Sequence, residues 1–408
     1  MINYQTHTLG NGLRIVHKPI VSNVSYCGFI VNAGTRDEYP DEHGMAHFVE
    51  HMLFKGTKKR RSYHIVNRME SVGGDLNAFT NKEETVIYSA FLEEHFQRAI
   101  ELLSDLTFNS EFPQIEIEKE VDVVIDEIHS YEDTPSELIF DEFENLVFKD
   151  SAIGHNILGD EQSLLTFDTE KVRKFVDRYY VPENIVFFSL GKTDFKKIIY
   201  WAEKYMGAIK PSLIKYFDRL SPQKVDSLKK IEEKDTAQAH VVLGGRSYSL
   251  HHPQRRVLKL LNNILGGPGM NSRLNLSLRE KRGYVYTVDS SVTSYTDTGV
   301  LFIYFGCDKK NVDKCLRLVE KEILQLKTQK MTDLQLSKAK KQFMGQLGVM
   351  NDNHENIAMS LGKSFMHYNH FSSLDEIFSK VDSITSEQVL EVANEIFDER
   401  NLFRLIYN

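Results

Sequence analysis

The sequence predicts two similar α+β domains in tandem, and three observations carry that reading. The chain has 408 residues, too many for one ordinary domain and enough for two cores. Its composition is that of a soluble globular chain, with 41% hydrophobic and 26% charged residues and no apolar run long enough to cross a bilayer. Strand, loop, helix and glycine also recur in the same order in the two halves.

The first half opens with a turn at Gly10-Asn11-Gly12 and a strand through Leu13-Arg14-Ile15-Val16. Residues 24–33, VSYCGFIVNA, read as a second strand. After a polar turn, residues 42–54, EHGMAHFVEHMLF, read as a helix that Gly56 stops. Gly73-Gly74 then precede residues 75–80, DLNAFT, whose alternation is that of a strand. Asn81-Lys82-Glu83-Glu84 makes a turn and Thr85–Phe91 the returning strand. Residues 116–130 have helical period, with Val121, Val124, Ile125 and Ile128 as the apolar stripe. The second half repeats the opening with a strand at 238–245, a helix at 253–265 and Gly266-Gly267. There Val257, Leu258, Leu260 and Leu261 make the helix mostly core. Pro211 and Pro222 punctuate a mixed-charge stretch, so the expected domains are 1–210 and 226–408, joined by a linker at 211–225.

The chemistry concentrates in His47-Phe48-Val49-Glu50-His51. On a helix the two imidazoles, at i and i+4, share a face one turn apart and can reach one metal ion. Glu50 lies about 60° from His47 on the wheel, beside that ion. The H-x-x-E-H order is the inverzincin signature, which predicts a zinc site that activates water for peptide-bond hydrolysis. A catalytic zinc needs a third protein ligand and an open position. Glu120 and Glu127 are two turns apart on one face of the 116–130 helix, and spacing leaves both open. A structural zinc would need a fourth ligand, for which His43 is the nearest candidate.

The net charge of −8 argues against a general nucleic-acid binder. Residues 111–145 carry 13 Asp/Glu and one Lys. If that run lines a substrate cavity, it favours basic peptides; if it faces solvent, it only aids solubility. Cys27, Cys307 and Cys315 are too few and scattered for a disulfide framework and read as buried thiols in a reducing compartment. No basic and apolar leader precedes the first strand, so the expected location is the cytoplasm, with no membrane span.

Longer blocks add to these motifs. They are Gly34-Thr35-Arg36-Asp37-Glu38, the run from Gly44 to Thr57, Gly73-Gly74-Asp75-Leu76-Asn77-Ala78-Phe79-Thr80, Ser272-Arg273-Leu274, and the run from Leu278 to Tyr286. In these, and over nearly its whole length, the chain resembles the pitrilysin-like M16 metallopeptidases. It is most similar to short bacterial members akin to the mitochondrial processing peptidase β subunit. The resemblance implies that each half is an antiparallel sheet with helices packed on one face. It implies one Zn²⁺ per chain, held by His47, His51 and Glu127, with Glu120 supporting the site and Glu50 activating water. Asn77 and Ala78 would bind substrate backbone at an exposed sheet edge. Arg279 and Tyr286 would contact substrate and stabilise the oxyanion, Tyr286 being favoured over Tyr284 by its separation from the arginine. The implied assembly is a homodimer around an enclosed chamber, each site completed in trans. The alternative is a non-catalytic or partner-dependent subunit of a heterodimer. Pro268 interrupts a loop that is commonly all glycine, and no α-subunit-type glycine loop is visible.

Overall fold

The strand sequences IVFFSLG (Ile185–Gly191) and GVLFIYFGC (Gly299–Cys307) are apolar without alternation and buried along their whole length. A strand reads that way when its sheet is covered on both faces. The computed structural model, which describes residues 4–211 and 219–408, contains two such sheets.

The first comprises β1 (Gln5–Thr8), β2 (Arg14–Pro19), β3 (Val24–Val31), β4 (Asp75–Thr80), β5 (Thr85–Leu92) and β6 (Ile185–Gly191), in the order β1-β2-β6-β3-β5-β4. The second comprises β7 (Lys229–Glu232), β8 (Ala239–Arg246), β9 (Val285–Ser294), β10 (Gly299–Cys307) and β11 (Phe403–Tyr407), in the order β7-β11-β8-β10-β9. Without β1 the two orders are the same. Each sheet is antiparallel apart from one parallel pair, β2 with β6 and β7 with β11. The duplication read from the recurring pattern is therefore a duplication of topology.

The expected helical layer is present on one face of each sheet. In the first, Phe29 of β3 meets Phe108 of the helix Phe96–Asn109 at 5.6 Å between ring centroids. In the second, helices Arg255–Gly266 and Val312–Thr328 bury Val257, Leu261, Leu316 and Val319 with Val241 and Ile303. Each sheet carries a further helix on its other face. Ile357, Leu361 and Phe365 of helix His354–Tyr368 pack on Val16, Ile30, Val186 and Phe188 of the first sheet. Ile139, Phe143 and Val147 of helix Pro135–Val147 pack on Val242, Phe302 and Leu405 of the second.

These two helices come from opposite halves of the sequence, so the compact units are not the contiguous domains the prolines suggested. One unit is 1–128, 156–219 and 350–373; the other is 129–155, 220–349 and 374–408. Of the expected linker at 211–225, residues 212–218 lie outside the described residues, and Arg219 belongs to the first unit.

The histidine helix runs Met45–Leu53 and buries Met45, Ala46, Phe48, Val49, Met52 and Leu53. It starts three residues later than the apolar pattern suggests, because Gly44 has φ +88° and breaks the helix there. A Cβ on Gly44 would lie 2.6 Å from the Leu158 carbonyl oxygen, which leaves only glycine for the position. The Glu38 carboxylate accepts from the Gly44 and Ala46 N–H groups at 3.0 and 2.8 Å, serving two of the unpaired donors of the helix start.

Candidate metal centre

Apolar packing of the Met45–Leu53 helix turns its other stripe, His47, Glu50 and His51, toward the helix Gln114–Glu132. The two imidazole centroids are 4.6 Å apart. Glu127 Oε2 lies 3.6 Å from His51 Nε2 and 3.9 Å from His47 Nε2. Donor atoms of these three residues all fall within 4.8 Å of one another, and they are the one such group among the described residues. Tetrahedral zinc with bonds of 2.0–2.2 Å needs ligand atoms roughly 3.3–3.6 Å apart. Small side-chain adjustments therefore suffice, and two imidazoles with one carboxylate are a known catalytic zinc donor set. The Glu127 side chain is the most exposed of the three, at 45%.

Spacing left Glu120 and Glu127 as equals; geometry separates them. Glu120 Oε1 accepts from His51 Nδ1 at 2.9 Å, and its other oxygen pairs with Lys55. A carboxylate on Nδ1 fixes the tautomer that leaves Nε2 free to ligate. Burial would raise the Glu120 carboxyl, but the hydrogen bonds from His51 and Lys55 outweigh it and hold it below the usual range. Burial would lower His51, but Glu120, then the charges of Glu127 and Glu50, hold it above. His47 goes the other way: burial, then the neighbouring His51, push it down to about 4, so it stays neutral and able to ligate at neutral pH. Its Nδ1 is buried without a hydrogen-bond partner. His43 faces Asp160 at 3.4 Å and is outside the ligand group.

Glu50 is raised by burial, against a hydrogen bond from Thr80 and the charge of His51. The Thr80 hydroxyl donates to Glu50 Oε2 at 2.6 Å. Thr80 ends β4, which is the last strand of its sheet and pairs with β5 on one side, Asn77 opposite Tyr88 and Ala78 opposite Ile87. Asn77 is exposed and Ala78 half-buried. In the second unit, Arg279 is exposed within a segment, Asn275–Glu280, wound as a π-helix. Tyr286 is 63% exposed on β9, the end strand of the second sheet, with its hydroxyl 3.4 Å from Asp308. Tyr284 packs against the core instead.

Sequence reading missed three parts of this site. Thr80 carried no signal beyond its place in a strand. Lys55 stood only as one residue of the run from Gly44 to Thr57, with no role attached. Residues 81–84 form the expected turn, but the burial of Lys82, Glu83 and Glu84 within it carried no signal. Glu83 pairs with Arg36 at 2.6 Å and receives Arg219 on its carbonyl, while Glu84 receives His367 and Lys363, each at 2.6 Å.

Two imidazoles one turn apart, a carboxylate from a second helix and an acid beside them have the donor set and order of an inverzincin-type site and could hold a metal ion. Two family models match the chain: "Insulinase (Peptidase family M16)" over residues 15–161 and "Peptidase M16 inactive domain" over residues 166–343. The chain belongs to the M16 family of zinc proteases. All three candidate ligands fall in the first match, none in the second. A Bacillus subtilis protein described as an uncharacterized zinc protease is 32% identical over 98% of this chain and 97% of its own length. One of the same description from Rickettsia bellii is 32% identical over 97% and 95%. A crystal structure of a protease from Helicobacter pylori superposes with a TM-score of 0.92 over the whole of both chains at 20% identity. A Pseudomonas fluorescens structure described as a peptidase M16 inactive domain gives 0.90 over 100% and 98%, again at 20% identity. These two show a shared fold.

Proposed function

We propose that the protein is a zinc-dependent endopeptidase that hydrolyses peptides or unfolded polypeptides. The observation that carries this reading is the convergence of His47, His51 and Glu127 with the Glu50 carboxylate on the same helix face. Zn²⁺, one per chain, would supply Lewis-acid polarisation and acidify water toward neutrality. His47 and His51 would hold it as neutral imidazoles and Glu127 as a carboxylate. Glu50 takes the proton of the attacking water and passes it to the leaving amine, a task suited to a carboxylate raised by burial. Asn77 and Ala78 offer backbone groups on the free side of β4, so substrate pairs as an added strand and specificity is broad.

Arg279 positions substrate and the Tyr286 phenol donates to the developing oxyanion. The exposure of both side chains supports this, since each is free to meet a ligand. In this reading two chains form a homodimer around an enclosed chamber, and the Arg279–Tyr286 element of one completes the metal site of the other. Basic peptides are favoured, because Glu118, Asp122 and Asp126 of the acidic run are exposed on the helix that carries Glu127. A location in the cytoplasm belongs to the same reading. The burial of Cys27, Cys307 and Cys315 as free thiols supports it. Among the described residues no helix is long and apolar enough to cross a membrane.

The test is a quenched library of basic and neutral peptides, with and without a chelator, run beside Glu50→Gln. Chelator-sensitive cleavage that the variant lacks is the expected result. No cleavage by zinc-loaded protein would overturn the reading in favour of a partner-dependent or non-catalytic subunit.

A further inference from the structure

Glu50 takes its one hydrogen bond among the described residues from Thr80, at 2.6 Å on Oε2. Thr80 is 8% exposed and closes β4. Alternation along the strand puts its side chain on the same face as those of Leu76 and Ala78. Its partner in register is Thr85 of β5, which is itself buried. The Thr85 hydroxyl donates to the Ala33 carbonyl at 3.0 Å, so its proton is committed elsewhere. The two hydroxyl oxygens are 3.5 Å apart, and toward Thr80 the Thr85 oxygen can only accept. Between that distant neutral oxygen and a carboxylate at 2.6 Å, the Thr80 proton goes to the carboxylate.

Threonine is branched at Cβ, which restricts χ1. The direction of the Thr80 hydroxyl is therefore set by the backbone of β4 rather than by solvent. A glutamate side chain, by contrast, has several rotamers open to it and a broad terminal torsion. Among the described residues the Thr80 hydroxyl supplies the one hydrogen bond that ties Glu50 to one of them.

We infer that Thr80 is a positioning residue for the base, fixing the Glu50 carboxylate in the frame of the strand on which substrate backbone pairs. This rests on the proposed role of Glu50. With Oε2 held by Thr80, Oε1 is left for the proton of the attacking water. The base and the bound amide then share a single rigid reference, β4, and their separation does not depend on a freely rotating side chain. Thr80 touches neither substrate nor metal; it acts through Glu50.

Thr80→Val keeps the volume and branching and removes the donor, while Thr80→Ser keeps the donor. Expected for Thr80→Val are wild-type zinc content and thermal midpoint, KM within about twofold, and kcat on a quenched peptide lowered about 10–100-fold. Thr80→Ser should return kcat to within about threefold of wild type. Crystal structures of the metal-free proteins give a readout independent of turnover: one Glu50 rotamer in wild type and Thr80→Ser, several in Thr80→Val. The inference is overturned by an unchanged kcat in Thr80→Val, by an equal loss in Thr80→Ser, by a rise in KM alone, by loss of zinc, or by the same single rotamer in Thr80→Val. If zinc-loaded wild type cleaves nothing, the proposed function fails, and the rotamer comparison still decides what Thr80 does.

Discussion

His47 and His51 differ in charge behaviour although they stand one turn apart on one helix. His47 is buried without a carboxylate on its back nitrogen; His51 rests on Glu120. In the metal-free protein His51 should titrate above 6.5, the ordinary value for the residue, as followed by NMR of its ring protons. The sign follows from the raised value. The stability that His51 contributes is complete below its unfolded pKa and is lost as pH rises through the folded one. Zinc uptake in that window releases a proton, which calorimetry in two buffers of different ionisation enthalpy will measure. Glu120→Gln should lower the His51 titration toward the ordinary value and weaken zinc binding about 10–100-fold. Glu50→Gln should keep zinc and lower kcat by about 10²–10⁴-fold, whereas His51→Ala should lose both. The pair of imidazoles and the adjacent acid were legible because helical period alone puts them on one face. The choice between Glu120 and Glu127 was not legible from spacing, because seven residues return to the same face; only the family resemblance made it. Thr80 was invisible for a related reason: its partner is 30 residues away in sequence.

The hairpin β4–β5 was readable from alternation, and its strands begin at the expected residues. The turn between them falls where expected, but its burial was not foreseen. Asn81-Lys82-Glu83-Glu84 has the composition of a solvated loop, but Arg36, Arg219, Lys363 and His367 reach it from three distant segments and no local pattern announces them. The result is a clamped hairpin that holds the free edge of the sheet and Thr80 in place. Burial raises the Glu84 carboxyl, yet the hydrogen bond from His367 and the charge of Lys363 bring it down to about 2. A depressed carboxyl contributes stability above its unfolded value of 4.5 and loses it as pH falls toward 2. Denaturant unfolding at pH 7 and pH 3 should show that loss, and it should disappear in Glu84→Gln. His367→Leu leaves Glu84 buried with one partner fewer and should cost about 3 kcal/mol at pH 7. The π-helix at Asn275–Glu280 was also unreadable, since its residues suit an ordinary helix end equally well.

At the scale of the whole molecule the duplication was legible and the exchange of helices was not. Recurring strand–helix order reports topology, but nothing in residues 135–147 or 354–368 says which sheet each helix will cover. Residues 1–210 expressed alone should aggregate, because Val16, Ile30, Val86, Val186 and Phe188 lose the helix that covers them. Fusing residues 350–373 to that fragment through a flexible linker should restore solubility, read by size-exclusion chromatography. The proposed homodimer has its own test. When Glu50→Gln and Tyr286→Phe proteins, each inactive, are mixed and allowed to exchange subunits, activity should return to roughly a quarter of wild type. Random reassortment makes half the dimers mixed, and each mixed dimer has one complete site of two. An active monomer by sedimentation would remove the basis for that expectation.

The exchanged helices also govern how the chain comes into being. A ribosome delivers the first sheet entire by residue 191, but the helix that seals its second face is not complete until residue 368. Throughout that interval a broad apolar face is exposed in a nascent chain, a substrate for holding chaperones rather than a finished domain. A cut at the midpoint would strip each half of the helix that covers one face of the other's sheet, so neither half is a self-sufficient piece to shuffle.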